Sequence, residues 1–179
     1  ESGHVLSIGT PGEIMELNRR LEPYKEKGQF LPFEKLRDLF DEYEVIVGAA
    51  HPFRAGGNIP SLPEDQLRRF DFVDLNGKDV AEDRERTERL TCALGEKLQI
   101  PVVSGSDTHQ AVQYGCIRTC FPGEIRTVKA LYEEMKAGHY TIQVSDHAAF
   151  QVKTAGLLKR ALKEIHAAGG NYVSVLTEE

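Results

Sequence analysis

No stretch of this 179-residue sequence approaches the ~20 consecutive apolar residues that a membrane-spanning helix requires. No secretory leader is expected from the opening Glu1-Ser2-Gly3-His4, which has no basic segment followed by an apolar one. Cysteine is scarce. Of the three, Cys116 and Cys120 stand four apart, and no second Cys or His pair lies beside them at zinc-finger spacing. Reduced, buried thiols in a cytoplasmic protein are therefore expected. An excess of basic charge is also absent. Twenty-two Lys and Arg against 28 Asp and Glu leave a net charge of −6, which argues against broad electrostatic attraction to extended nucleic acid. Neither internal repeats nor low-complexity tracts occur.

What is present is an ordinary globular composition, 40% hydrophobic and 28% charged, long enough for one domain with a sizeable core. His4 to Gly9 reads as a buried strand starting almost at once, which predicts that further sequence precedes Glu1. Short helices are expected over 13–21, 32–43 and 64–70, with a long one over 80–98. Val45 to Ala50 is a continuous apolar run that suits a parallel strand buried on both faces. Further strands are expected at 72–75, 100–103 and 140–144. Thr127 to Ala137 is a helix with Gly138 as its C-cap, and 148–168 is another. This alternation implies βαβ units and a parallel sheet.

In parallel α/β folds, chemistry collects at the C-terminal ends of strands. Three expected strands end here in metal-competent or polar residues: His51, Asn76, and the pair Asp107 and His109. Just past a strand, the two ligand types of Asp107-Thr108-His109 can share one pocket, and carboxylate with imidazole suits Zn, Mn or Fe. His51 is read as a third ligand, with a core histidine as the rival. His4, before its strand rather than after it, is a fourth candidate. Arg54, in the glycine-rich loop after His51, suits bidentate phosphate binding, against a surface salt bridge. Asn76 and Lys78 follow a strand end and are placed to touch substrate, with a simple Asn-Gly turn as the alternative. Glu1 is read as a frayed terminus. His139, His147 and His166 are read as structural.

At these positions the sequence resembles the PHP family of metal-dependent phosphoesterases, named for polymerase-associated and histidinol-phosphatase domains. The resemblance is carried by Gly3 to Gly9, Ala50-His51-Pro52-Phe53-Arg54, Val73-Asp74-Leu75-Asn76-Gly77 and Val103 to His109, in the family's order and approximate spacing. It implies an α/β fold, here the C-terminal part of a distorted (β/α)7 TIM-like barrel over 1–179, with 140–179 as a C-terminal helical extension. It implies two or three divalent ions in the complete domain, with His4, His51, Asp107 and His109 at ligand positions; in the mechanism expected here, Arg54 is the catalytic group that clamps a phosphoryl oxygen. The family's opening His-x-His, its Asp-His element and its bridging Glu would lie upstream of residue 1. Where relatives often carry Glu before the Asn-Gly, this chain has Asp74. The expected activity is hydrolysis of a phosphomonoester or short nucleotide by metal-activated water. A catalytically degenerate metal-binding or regulatory module is a second reading, and a metallohydrolase acting on amides a third.

Overall fold

The computed structural model describes residues 3–170. Glu1, read above as a frayed terminus, and the last residues of the expected C-terminal extension lie outside them. The chain begins with strand β1 (His4–Ile8) and helix α1 (Pro11–Leu21). Thr10 starts α1 with a reciprocal capping box: its side chain accepts from the Glu13 N–H, and the Glu13 carboxylate accepts from the Thr10 N–H. The Glu13 carboxylate also accepts from the Glu44 N–H at 3.0 Å, tying the helix to the entry of the next strand. Helix α2 (Phe33–Phe40) leads into strand β2 (Ile46–Ala50), then a short helix α3 (Glu64–Leu67) and strand β3 (Phe72–Asn76).

Every residue of β2 and of β3 is buried, as a strand covered on both faces must be. Val47 and Val73 are inaccessible to solvent. Gly48 lies under the Phe72 ring so closely that a Cβ would meet ring carbons at 2.1–2.5 Å, so only glycine allows the two strands to pair with that ring between the layers.

Beyond β3 come α4 (Gly77–Glu82), α5 (Arg84–Leu98) and β4 (Val102–Gly105). The expected single helix over 80–98 is thus two, broken at Asp83, whose side chain caps α5 by accepting from the Arg86 N–H. Strand β5 (Ile117–Cys120), helix α6 (Val128–Ala137), strand β6 (Thr141–Val144) and helix α7 (Ala148–Ala167) complete the described chain. Strand β5 is absent from the expected elements: it is only four residues long, and Arg118 and Thr119 break its apolar pattern.

The strands form a four-stranded sheet in the order β1-β2-β3-β4 and a separate pair β5-β6. Strands β2, β3 and β4 run parallel, whereas β1 is antiparallel to β2 and β5 to β6. The architecture is α/β with a parallel core, and among the described residues it is an open sheet rather than a closed barrel. Strand β1, expected to be buried, is an edge strand with alternating exposure. Helix α7 packs through Ala148 and Val152 on a cluster with Leu75, Val80, Cys116 and Ile117. Of the three free cysteines only Cys116 is buried. Cys92 is exposed, contrary to expectation, because it falls on the outer face of α5. Among the described residues, no helix is long and apolar enough to cross a membrane.

Candidate functional site

The parallel strands deliver their last residues to one end of the sheet. Antiparallel pairing places His4 opposite Ala50, so the first residue of β1 lies beside the end of β2. The rings of His4 and His51 consequently meet edge to face, and His4 Nδ1 and His51 Nε2 share a hydrogen bond of 3.0 Å. His51 is buried, and that burial, reinforced by the Arg54 guanidinium and by His4, holds its imidazole below its ordinary pKa. A neutral ring offers a nitrogen lone pair for metal or proton.

Two site residues carry left-handed backbone: His51 with φ +30° and Asp107 with φ +51°. Such conformations cost roughly 1–3 kcal/mol each for a residue other than glycine and persist only where neighbours over-determine them. The neighbours are identifiable. Asp74 accepts from the His51 N–H at 3.2 Å, and Arg54 N–H donates to the His51 carbonyl at 3.1 Å. Gln113, buried and not anticipated from the sequence, holds the second turn. Its amide nitrogen donates to the carbonyls of Ser106 and Asp107 at 2.8 and 2.9 Å, and its amide oxygen accepts from the His109 N–H at 3.3 Å. A glutamine four residues past a Asp-x-His element is the only sequence signal that points to it.

Arg54 is the central charge. Its Nε donates to Asp79 at 2.8 Å, one terminal nitrogen to Asp107 at 2.9 Å, and the other to the Asn76 amide oxygen at 2.6 Å. Three acceptors from three segments therefore hold the fork expected to grip phosphate. Asn76 caps α4, accepting from the Lys78 N–H, and its amide nitrogen donates to Asp74 at 3.1 Å. Buried, with two donors on its amide oxygen, Asn76 brackets Arg54 and does not line the cavity. Asp74 is buried too. Desolvation is the largest influence on it and raises its pKa from 3.8 to about 6, against the lowering effect of the Asn76 and His51 hydrogen bonds.

His4, His51, Arg54, Asp107 and His109 all line one cavity of about 330 Å³, together with Lys78, Gln113 and Lys159. His109 is half exposed, and its Nδ1 is turned to the Asp107 carbonyl at 2.9 Å, which leaves Nε2 as its outward nitrogen. In chemical type these donors fit a divalent metal of the Zn, Mn or Fe kind. Their grouping is incomplete: among the described residues no three His, Cys, Asp or Glu side chains are close enough together to hold a metal ion. The pair His4 and His51 comes nearest, while Asp107 is engaged by Arg54. A larger cavity of about 780 Å³ lies between β4 and β5, lined by Tyr114, Arg118 and His147 among others, and shares none of these residues. The strained backbone and the imidazoles mark the smaller one as the candidate site. His139, Cys92 and Cys120 take no part in it.

Residues 89–140 match the model of a family described as PHP-associated. No curated protein matches the chain. Among solved structures it is similar to PsfC from Pseudomonas syringae PB-5123, with a TM-score of 0.67 at 19% identity over 89% of this chain and 62% of that one. It is also similar to the novel lesion-specific endonuclease PfuEndoQ from Pyrococcus furiosus, with a TM-score of 0.51 at 17% identity over 79% of this chain and 38% of that one. At these identities the likeness is one of fold, and the chain spans about three fifths of the first structure's length. The matched segment runs from α5 through β4 and the Asp107 to His109 turn to the end of α6, and over those residues the chain is similar to PHP-associated proteins.

Proposed function

We propose that the protein is a metal-dependent phosphoesterase of the cytoplasm, acting on a phosphomonoester or a short nucleotide, and that the open sheet is part of a distorted (β/α)7 barrel. One observation carries this reading: His4, His51, Asp107 and His109 converge with Arg54 on a single cavity at the C-terminal ends of the parallel strands. A bound divalent ion would supply an easily ionised water and positive charge for the phosphoryl oxygens. The chain's own residues bind and orient. His4, His51, Asp107 and His109 would hold metal, with two or three ions in the complete domain. Lys78 and Lys159, on the cavity wall, offer point charges to a phosphate, and Arg54 a planar fork once a terminal nitrogen is released. PfuEndoQ is an endonuclease by name, and phosphodiester cleavage belongs to the same class of chemistry.

Mn, Zn or Fe is expected in protein purified away from chelators, with hydrolysis of a phosphomonoester when Mn is added. Metal content near zero that added metal does not restore would sink this reading. The second reading, a catalytically degenerate module, is favoured by a specific observation: the cavity's carboxylate is already paired with Arg54 and no three ligands are grouped. Metal binding without hydrolysis would select it.

A further inference from the structure

The cavity wall carries one carboxylate, Asp107, against three permanent cations, Arg54, Lys78 and Lys159. Asp79 and Asp74 stand next to it, but Asp79 is bonded to Arg54 and Asp74 to the His51 N–H and Asn76, so Asp107 is the carboxylate that faces an ion in this cavity. That side chain accepts a charge-assisted hydrogen bond of 2.9 Å from Arg54, in a pair whose two side chains are each about one-fifth exposed. Arg54 is itself anchored independently of Asp107, by Asp79 at 2.8 Å and Asn76 at 2.6 Å. It therefore loses one of three bonds, not all, when Asp107 turns away from it. Asp79 lines an adjoining cavity of about 360 Å³ that shares His51, Arg54 and Lys78 with this one, and there it holds Arg54 from the side away from Asp107 and His109.

From this we infer that Arg54 and a divalent cation are alternative partners of the Asp107 carboxylate. The inference rests on the metal reading above and adds a direction to it. In a supporting role, Arg54 would orient Asp107 for the metal, and removing it would weaken binding. In the competing role, removing it strengthens binding, because the carboxylate no longer has to be taken from a guanidinium and one positive charge leaves the cavity.

The test is calorimetric titration of the whole chelator-treated protein with Mn²⁺, in wild type, Arg54→Ala and Arg54→Lys. Arg54→Ala is expected to bind Mn²⁺ about tenfold more tightly than wild type, within the 5- to 150-fold span usual for coupling between two ligands. Arg54→Lys, which cannot reach all three acceptors, is expected to fall between them. Equal or weaker binding by Arg54→Ala overturns the inference while leaving the metal reading intact. If circular dichroism shows Arg54→Ala unfolded, Arg54→Lys decides alone: tighter binding than wild type supports competition, and equal or weaker binding overturns it. If no variant binds Mn²⁺, the metal reading and this inference fall together.

Discussion

The two ends of the parallel sheet use the same charged residues to opposite purposes. At the N-terminal end, Asp71 precedes β3 and accepts from the Val47 N–H at 2.7 Å and from the Tyr132 hydroxyl at 3.2 Å, with Arg37 at 3.7 Å. Arg37 donates to the Arg69 carbonyl, and Arg69 reaches Asp38 and Asp41 at 2.7 and 2.6 Å. Those bonds tie α2, β2 and α6 to the turn between α3 and β3, and no residue of the cluster has a positive φ. At the C-terminal end, Arg54 likewise joins two aspartates, but imidazoles stand beside it and two residues of the site are held in left-handed backbone. Arginine–aspartate clusters alone therefore do not mark a site. Strain and ligand-capable nitrogen at strand ends do.

The sharpest way to break this comparison is to remove an aspartate from each end. Asp107→Ala is expected to cost more in Mn-dependent hydrolysis than the roughly 10- to 100-fold lost with a supporting partner, with little change in stability. Asp71→Ala should do the reverse: about 2–3 kcal/mol of stability lost in urea unfolding, and unchanged kcat/KM for the folded fraction. If both substitutions affect the same property, the two ends are not different in kind.

Next in size is the buried Asp74. Its folded pKa of about 6 lies above the ordinary 3.8, so the folded protein holds a proton between those values that the unfolded chain has released. Stability present below pH ~4 is accordingly lost as pH rises through ~6, by up to about 3 kcal/mol at 1.36 kcal/mol per pKa unit. Asp74→Asn, measured in chelator, is expected to gain on wild type in urea midpoint as pH rises from 4.5 to 7.5. A difference between the two proteins that does not vary with pH would show that Asp74 is ionised at little cost.

Gln113→Leu removes the three hydrogen bonds that hold the Asp107 and His109 turn while keeping similar volume. Mn²⁺ affinity is expected to fall roughly 10- to 100-fold, as for other partners that orient ligands. An unchanged affinity would mean the turn keeps its left-handed residue without Gln113. The smallest effect is expected at Arg69→Ala, in the N-terminal cluster. Its acidic partners are half-exposed to exposed, so the loss should stay below about 1 kcal/mol and shrink with added salt. A larger, salt-insensitive loss would give that end an energetic importance the comparison denies it.

Local chemistry made much of this legible in advance. The apolar run before His51, the helix over 127–137 with its glycine cap, and the Asp-x-His turn after β4 each depend on neighbouring residues alone. What stayed hidden depends on distant partners. The antiparallel edge position of β1 comes from its pairing with β2, and β5 from a partner strand more than 20 residues away; the break at Asp83 is the exception, a local capping bond to Arg86 within an otherwise helical segment.

The sequence by itself determined which residue types stand at the ends of the strands, because alternation of apolar runs and turns places them there whatever the rest of the fold does. Only the tertiary structure decided how they face one another. It brought His4 against His51 by reversing one strand. It assigned Gln113 to the ligand turn. It buried Asn76 against Arg54, and it set the Arg54 guanidinium on the carboxylate of Asp107. Those pairings join residues up to 53 positions apart, and contacts of that range are set by packing and charge balance in three dimensions, which no local pattern encodes.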